Sequence, residues 1–220
     1  MYVGIIGRER VGKDTFADIL VTEYGFKKHS MAEPIRDIAH IIFPHWQNPE
    51  VNKDTVDQVS GIRPRDFMKW LGTDVFQLAF HEKFPDVTIR PRCIWSTICA
   101  DRIRAEPDSC WVIPDIRFKH EAEELQRLGG ILINLYSNTP ISDRTARTGL
   151  LSQSDDQSFS INSRPPGVGL ELNGNGNASI QAQYDIPFIL QNFPHTSICN
   201  NHDGIGKLKN QVHDFMNQHR

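Results

Sequence analysis

No stretch of this 220-residue chain approaches the ~20 consecutive apolar residues that a membrane-crossing helix needs, so the composition reads as that of a soluble protein. Cysteine is scarce as well. The four present, Cys93, Cys99, Cys110 and Cys199, form no C-x-x-C pair and no metal-ligand grouping, which argues against a disulfide framework or a structural zinc site and points to a reducing cytoplasm. Neither sign of charge dominates: 24 Lys and Arg stand against 27 Asp and Glu, a formal net charge of −3. Any nucleic acid or anionic membrane would therefore meet no strong general field, and a polyanion would have to be bound locally. There is no internal repeat, and the chain opens on a core-like strand in place of a leader pattern. With 39% apolar residues, this length predicts one compact domain with room for an inserted lobe.

What is present begins at residue 7. Gly7-Arg8-Glu9-Arg10-Val11-Gly12-Lys13-Asp14-Thr15 follows an apolar run (Tyr2 to Ile6) and precedes a helical pattern. The spacing G-x-x-x-x-G-K lets the backbone fold back so that successive N–H groups face phosphate oxygens, while Lys13 adds a positive charge. The helix that follows contributes its positive dipole end. Gly7, Arg10, Val11, Gly12, Lys13, Asp14 and Thr15 are thus the candidate nucleotide-binding residues. One position departs from the general motif: Asp14 stands where Ser or Thr would ligand magnesium, and a hydroxyl appears only at Thr15. Asp14 either holds the ion, directly or through water, or caps the helix.

Downstream, strands and helices alternate. Phe16, Ile19 and Leu20 share a helical face that Gly25 should terminate, and a short strand is expected within 26–31. A helix with Pro34 in its first turn runs to about Phe43. Residues 45–62 are polar and mixed. Phe67, Met68, Leu71, Val75, Phe76 and Ala79 then follow helical spacing with an interruption near Gly72, and another helix covers 94–104 with Ile94, Trp95, Ile98 and Ile103 inward. Cys110 to Asp115 is an apolar run ending in an acid, the signature of a Walker B strand, with Pro114 near its carboxyl end. A helix over 119–128 leads into a second nearly continuous apolar strand, 131–136. Residues 137–184 collapse into Ser, Asn, Gly, Gln and Pro, either a functional lid or a disordered insertion. A last strand at 197–199 and a helix from about 205 to 217 close the chain. Such alternation predicts an α/β fold with a parallel central sheet.

If the strand ending at Asp115 neighbours the first one, Asp115 sits beside the loop, where it can orient magnesium or its water shell; otherwise it caps the next helix. Arg117 would lie at the carboxyl edge of the sheet, where doubly wound folds bind ligands. Its planar fork suits phosphate, although a surface ion pair is the alternative.

Five blocks occur in one order: Gly12-Lys13-Asp14-Thr15, Met31-Ala32-Glu33-Pro34-Ile35-Arg36-Asp37, Phe67-Met68-Lys69-Trp70-Leu71-Gly72-Thr73-Asp74, Val112-Ile113-Pro114-Asp115-Ile116-Arg117 and Cys199-Asn200-Asn201-His202-Asp203-Gly204. In this the chain resembles the deoxynucleoside monophosphate kinases of tailed bacteriophages, over roughly residues 1–136 and 196–217. It is more weakly similar to animal phosphomevalonate kinase through the Gly-Lys-Asp block and the acid-x-Arg strand end. The resemblance implies a P-loop NTPase three-layer fold: a kinase core from 1–31, 106–136 and 185–220, a helical monophosphate-binding lobe from 32–105, and a lid inserted at 137–184. It also implies transfer of the terminal phosphoryl group of ATP to a deoxynucleoside 5′-monophosphate. Lys13 would bridge the transferring phosphate, Asp14, Thr15 and Asp115 would manage Mg²⁺, and Arg36, Arg65 and Arg117 would hold phosphates. Trp70 and Asp74 would line the lobe. A monophosphate is largely a dianion at neutral pH, its second pKa lying near ~6, so the acceptor needs no general base, and catalysis reduces to alignment and charge neutralisation.

The family's Ser/Thr-Glu segment that helps read the base has no equivalent in 152–163, so base preference stays open. Arg144 and Arg147 are either lid residues that close over the phosphates or bare surface arginines. His40, His45, His81 and His120 form no spaced ligand set. Trp95 and Trp111 sit in core-like runs, and Arg90, Arg92, Arg102 and Arg104 interleave with acids as on a solvated face. The expected partners are ATP, Mg²⁺ and a deoxynucleoside monophosphate in the cytoplasm, a host's if the chain is phage-encoded, with no nucleic acid or membrane and with a homodimer left open. The rival readings are a kinase of another phosphorylated acceptor, phosphomevalonate-like, and a nucleotide-binding switch without turnover.

Overall fold

The computed structural model describes residues 1–138 and 178–219, with side chains in the second segment described from 185 onward. Five strands, β1 (Tyr2–Ile6), β2 (Lys27–Lys28), β3 (Trp111–Ile113), β4 (Ile131–Tyr136) and β5 (His195–Cys199), form one sheet in the order β2-β3-β1-β4-β5. Every pairing is parallel, with Gly4 opposite both Ile113 and Leu132. β1 thus lies at the centre, flanked by the strand that leads to Asp115. That is the adjacency a Walker B reading requires.

Alternation along β1 builds the two outer layers. Val3 and Ile5 face α1 (Lys13–Tyr24) and the C-terminal helix, where Phe16, Leu20, Leu208, Val212 and Phe215 close one core. Ile6 faces the opposite layer with Ile113 and Leu132, against α5 (Ile94–Ala105), α6 (Lys119–Arg127) and α7 (Ala178–Asn192). Gly4 also points to that side. A Cβ there would stand 2.3 Å from Leu125 Cδ2 and 3.0 Å from Ile116 Cγ1, so glycine lets α6 settle directly on the central strand. The last helix, α8 (Ile205–His219), pairs with α1 on the other face. This is the three-layer α/β arrangement of a P-loop NTPase.

Between β2 and β3 the chain leaves the sheet as a helical lobe. α2 (Glu33–Ile42) is followed by a 3₁₀ turn (Pro44–Gln47), α3 (Pro64–Lys69), a π-helical stretch (Trp70–Ala79) and the single turn α4 (Phe80–Lys83) before α5. The interruption expected near Gly72 is this wide-turned segment. It has a packing cause: the Trp95 indole donates to the Gly72 carbonyl at 2.8 Å, while a Cβ on Gly72 would meet Ile35 Cδ1 at 2.6 Å. The connection over 48–62 gathers on Asp57, whose Oδ2 accepts from His45, Trp46 and both the amide and hydroxyl of Ser60. These donors hold its carboxyl far below the usual range.

Several sequence expectations need adjusting. β3 is shorter than the apolar run, and β5 starts at His195, two residues earlier than expected. Ile98 is 38% exposed on α5 instead of inward. Helix α7 begins at Ala178, inside the stretch whose polar composition gave no helical signal, and carries Pro187 in its interior. Trp95 and Trp111 are core residues, as their runs indicated. No helix among the described residues is long and apolar enough to cross a membrane.

Candidate active site

The loop between β1 and α1 is shaped by three backbone constraints. A side chain at Gly7 would put its Cβ 2.3 Å from the Leu135 carbonyl oxygen on β4. Arg10 and Gly12 both have positive φ, 59° and 96°, a conformation that suits glycine but strains arginine. Gly12 is the N-cap of α1, and its carbonyl accepts the first helical bond from Phe16 at 2.9 Å. The N–H groups of Lys13, Asp14 and Thr15 belong to the first turn, whose donors lie outside the helical ladder and make a natural anion cradle.

Lys13 closes the loop from within. Its ammonium donates to the Gly7 and Arg8 carbonyls, each at 2.8 Å, leaving a third proton for an incoming oxygen. Burial holds its pKa below the ordinary lysine value, and the Arg117 guanidinium lowers it further, while Asp14, Glu9 and Asp115 pull it back up. Lys13 therefore lies within electrostatic reach of both Asp115 and Arg117, two other members of the candidate catalytic set.

Asp115 is not a helix cap, because α6 is capped at Phe118. Instead its Oδ2 accepts from the Ser30 hydroxyl at 2.6 Å and its Oδ1 from the Met31 amide at 3.0 Å. The carboxylate thus ties the end of β3 to the turn that launches the lobe. Arg117 is exposed and has no ion-pair partner among the described residues, so the surface-salt-bridge alternative finds no carboxylate. Asp14 does not cap α1 either. It is largely exposed and pairs with Lys28 at 3.2 Å, as does Asp18 at 2.9 Å.

Across the cleft, the Arg65 guanidinium binds Asp54 and is also raised in pKa by Glu9 of the loop. Arg36 stands in the first turns of α2, partly buried. Trp70 is 51% exposed at the end of an aromatic array, its ring 5.8 Å from Phe67, which in turn lies 5.2 Å from Phe43 and 5.6 Å from Trp46. Asp74 is half-buried, which lifts its carboxyl above the usual range. No hydrogen bond or ion pair among the described residues joins Arg36, Trp70 or Asp74 to the loop. Arg144 and Arg147 lie outside the described residues, as do 139–177 of the expected lid.

A cavity of about 420 Å³ opens beside the loop, lined by Arg10, Gly12, Lys13, Thr15, Asn200 and Ile205 among others. Asn200, whose role nothing in the sequence pattern signals, also lines it. Its side-chain amide donates to the Val11 carbonyl at 2.9 Å, and its Oδ1 accepts from the His202 amide at 3.1 Å.

For magnesium, the available donors are the Thr15 hydroxyl and the carboxylates of Asp14 and Asp115, all hard oxygens of the kind the ion prefers. Among the described residues no three His, Cys, Asp or Glu side chains converge into a self-sufficient metal cage. That donor set fits an ion carried largely by a nucleotide's phosphates and water, which is how magnesium is commonly held.

A scan against protein-family models finds no match. Over 152 residues, 65% of this chain and 77% of the other, it is 27% identical to a protein of Acanthamoeba polyphaga mimivirus described as "Putative deoxynucleotide monophosphate kinase". Among solved structures it resembles the dephospho-CoA kinase of Campylobacter jejuni (17% identity, 99% and 96% of the two chains, TM-score 0.42) and a gluconokinase of Sinorhizobium meliloti 1021 (10% identity, 100% and 97%, TM-score 0.41). Those overlays are loose, and the P-loop fold is read from the chain's own strand order and loop geometry.

Proposed function

We propose that the protein is a nucleotide kinase that transfers the γ-phosphoryl group of ATP to a deoxynucleoside 5′-monophosphate. The observation that carries this is the phosphate loop with its lysine: Lys13 is folded back onto the Gly7 and Arg8 carbonyls with one proton to spare, at the carboxyl end of β1 and beside the strand that leads to Asp115 and the exposed Arg117. A transferring phosphoryl group needs such a cradle of amides and cations. The sequence similarity to the mimivirus protein supports the acceptor class.

In this reading the main-chain amides of the loop and the first turn of α1 hold the β- and γ-phosphates, and the third proton of Lys13 meets the transferring group. Arg117 neutralises charge that builds on the phosphoryl oxygens. Arg36 and Arg65 bind the acceptor phosphate, Trp70 offers a face on which a base can stack, and Asp74 lies on the same helical stretch. Magnesium, when bound with the nucleotide, supplies further charge neutralisation and would be held by Thr15, Asp14 and Asp115. The acceptor arrives as a dianion, so no side chain has to remove a proton.

A coupled ADP-release assay with ATP, magnesium and each of dGMP, dTMP, dCMP and dAMP tests the proposal. Turnover dependent on one or more of these is expected. Silence with all four, or turnover only with a non-nucleotide phosphorylated acceptor, rejects it.

A further inference from the structure

Among the described residues Glu121 is the one buried carboxyl side chain, 4% exposed, and it lies at the third position of α6. A carboxylate at that position commonly reaches back to the N-cap amide, as half of a capping box. Here the reciprocal half is missing, because Phe118 has no side-chain acceptor to offer. Glu121 also reaches one residue further than a cap needs. A single oxygen, Oε2, accepts from the amide of Phe118 at 3.0 Å and from that of Arg117 at 2.7 Å.

Other groups take further amides of the helix entrance. Asp185 on α7 accepts from the Lys119 amide at 3.1 Å, and the Phe118 carbonyl takes the amides of Glu121 and Ala122. The shorter Glu121 bond falls on the main chain of Arg117, the residue whose positive charge lowers the Lys13 pKa. Burying a carboxyl group for a turn that solvent could satisfy is costly. Burial does push its pKa up, to about 8.

We infer that Glu121 is a positioning residue: its buried Oε2 fixes the Arg117 main chain so that the Arg117 side chain is aimed at the phosphate loop. This rests on the phosphoryl-transfer role of Arg117 proposed above. Alignment at reacting phosphates is steep, a displacement of about 1 Å costing on the order of 100-fold in rate.

The test uses Glu121→Gln, Glu121→Leu, Arg117→Ala and the double variant Glu121→Leu/Arg117→Ala of the full chain. Glutamine keeps one carbonyl oxygen able to accept both amides, so it should retain kcat within about twofold. Leucine should lower kcat about 10- to 100-fold with the KM for the monophosphate shifted far less. In the Arg117→Ala background the leucine change should cost nothing further, because its effect passes through that side chain. Equal loss in both backgrounds, or full activity of Glu121→Leu, would overturn the inference. Equilibrium binding of ATP by the same four variants and the wild type gives the same cycle without turnover: coupled losses support the positioning role and additive ones reject it, even if no acceptor is ever phosphorylated.

Discussion

The Asn200 side chain stands 2.6 Å from where a Cβ on Gly12 would be, and it uses that closeness to donate to the neighbouring Val11 carbonyl at 2.9 Å. The end of β5 thereby props up the phosphate loop from below. Asn200→Ala leaves the Val11 carbonyl without its amide donor and the His202 amide without its acceptor. The expected cost is about 1–3 kcal/mol of stability, read by urea titration, with a several-fold weaker ATP affinity. A variant that binds ATP as tightly as the wild type would show that the prop is not needed.

Gly12→Ala attacks the same contact from the other side. The new methyl group must either displace the Asn200 amide or relax a φ of 96°, a conformation that costs an alanine ~1–2 kcal/mol. ATP binding should weaken by an order of magnitude or more, while the far-ultraviolet dichroism stays that of the wild type. Gly25→Ala at the end of α1 is the control. Its φ is also positive, but nothing lies within 4 Å of the added carbon, so it should lose stability without losing ATP affinity.

Much of this site could be read from the sequence, for a reason the two glycines illustrate. The G-x-x-x-x-G-K spacing encodes main-chain geometry directly, so the loop, the strand before it and the helix after it were all foreseeable. Asp115 could be placed because an apolar run ending in an acid marks a strand's carboxyl edge. Its partners could not. Ser30 and Met31 are 85 and 84 residues away along the chain, and only the side-by-side pairing of β2, β3 and β1 brings them together. Glu121 escaped notice because the capping signature needs a hydroxyl or short amide three residues earlier, and Phe118 supplies neither. Helix α7 was missed because its buried anchor, Ile189, lies in a segment broken by Pro187, where no regular apolar spacing builds up.

Lys13→Ala should separate chemistry from folding. The ammonium is desolvated and repelled by Arg117, and it returns two hydrogen bonds to loop carbonyls. These terms oppose each other, so the stability change should stay within about 1 kcal/mol. Acceptor-dependent ADP release should fall by at least 10³-fold, the scale on which charge neutralisation at a transferring phosphoryl group operates. Residual activity above a tenth of wild type would remove Lys13 from the reaction.

Ser30→Ala tests whether the tie between the lobe and Asp115 matters for turnover. The hydroxyl donates to Asp115 at 2.6 Å and accepts from the Ala32 amide at 3.2 Å, so its loss frees both the carboxylate and the turn that begins α2. Turnover should drop about 10-fold, with a rise in the magnesium concentration needed for half-maximal rate. An unchanged magnesium requirement would assign Ser30 to the turn alone.

The pH dependence of stability follows from three groups whose titration burial shifts. Glu121 is raised from an ordinary value of 4.5 to about 8, so above pH 4.5 the folded state holds a proton that the unfolded chain has released. Its contribution is complete below 4.5 and is lost as pH climbs to 8. His120 is depressed from 6.5 to about 4 by burial, and burial likewise lowers His29. Their contributions are complete above 6.5 and are lost as pH falls. Between 4.5 and 6.5 the two histidines outweigh the one carboxyl, and above 6.5 only Glu121 still titrates. Stability should therefore peak near pH 6.5 and decline toward pH 8 by roughly 1.4 kcal/mol per unit at most. Glu121→Gln cannot ionise, so its urea-unfolding free energy should stay level from 6.5 to 8 while keeping the loss below 6.5. A wild-type curve that stays level over that upper interval would mean Glu121 is charged in the folded protein.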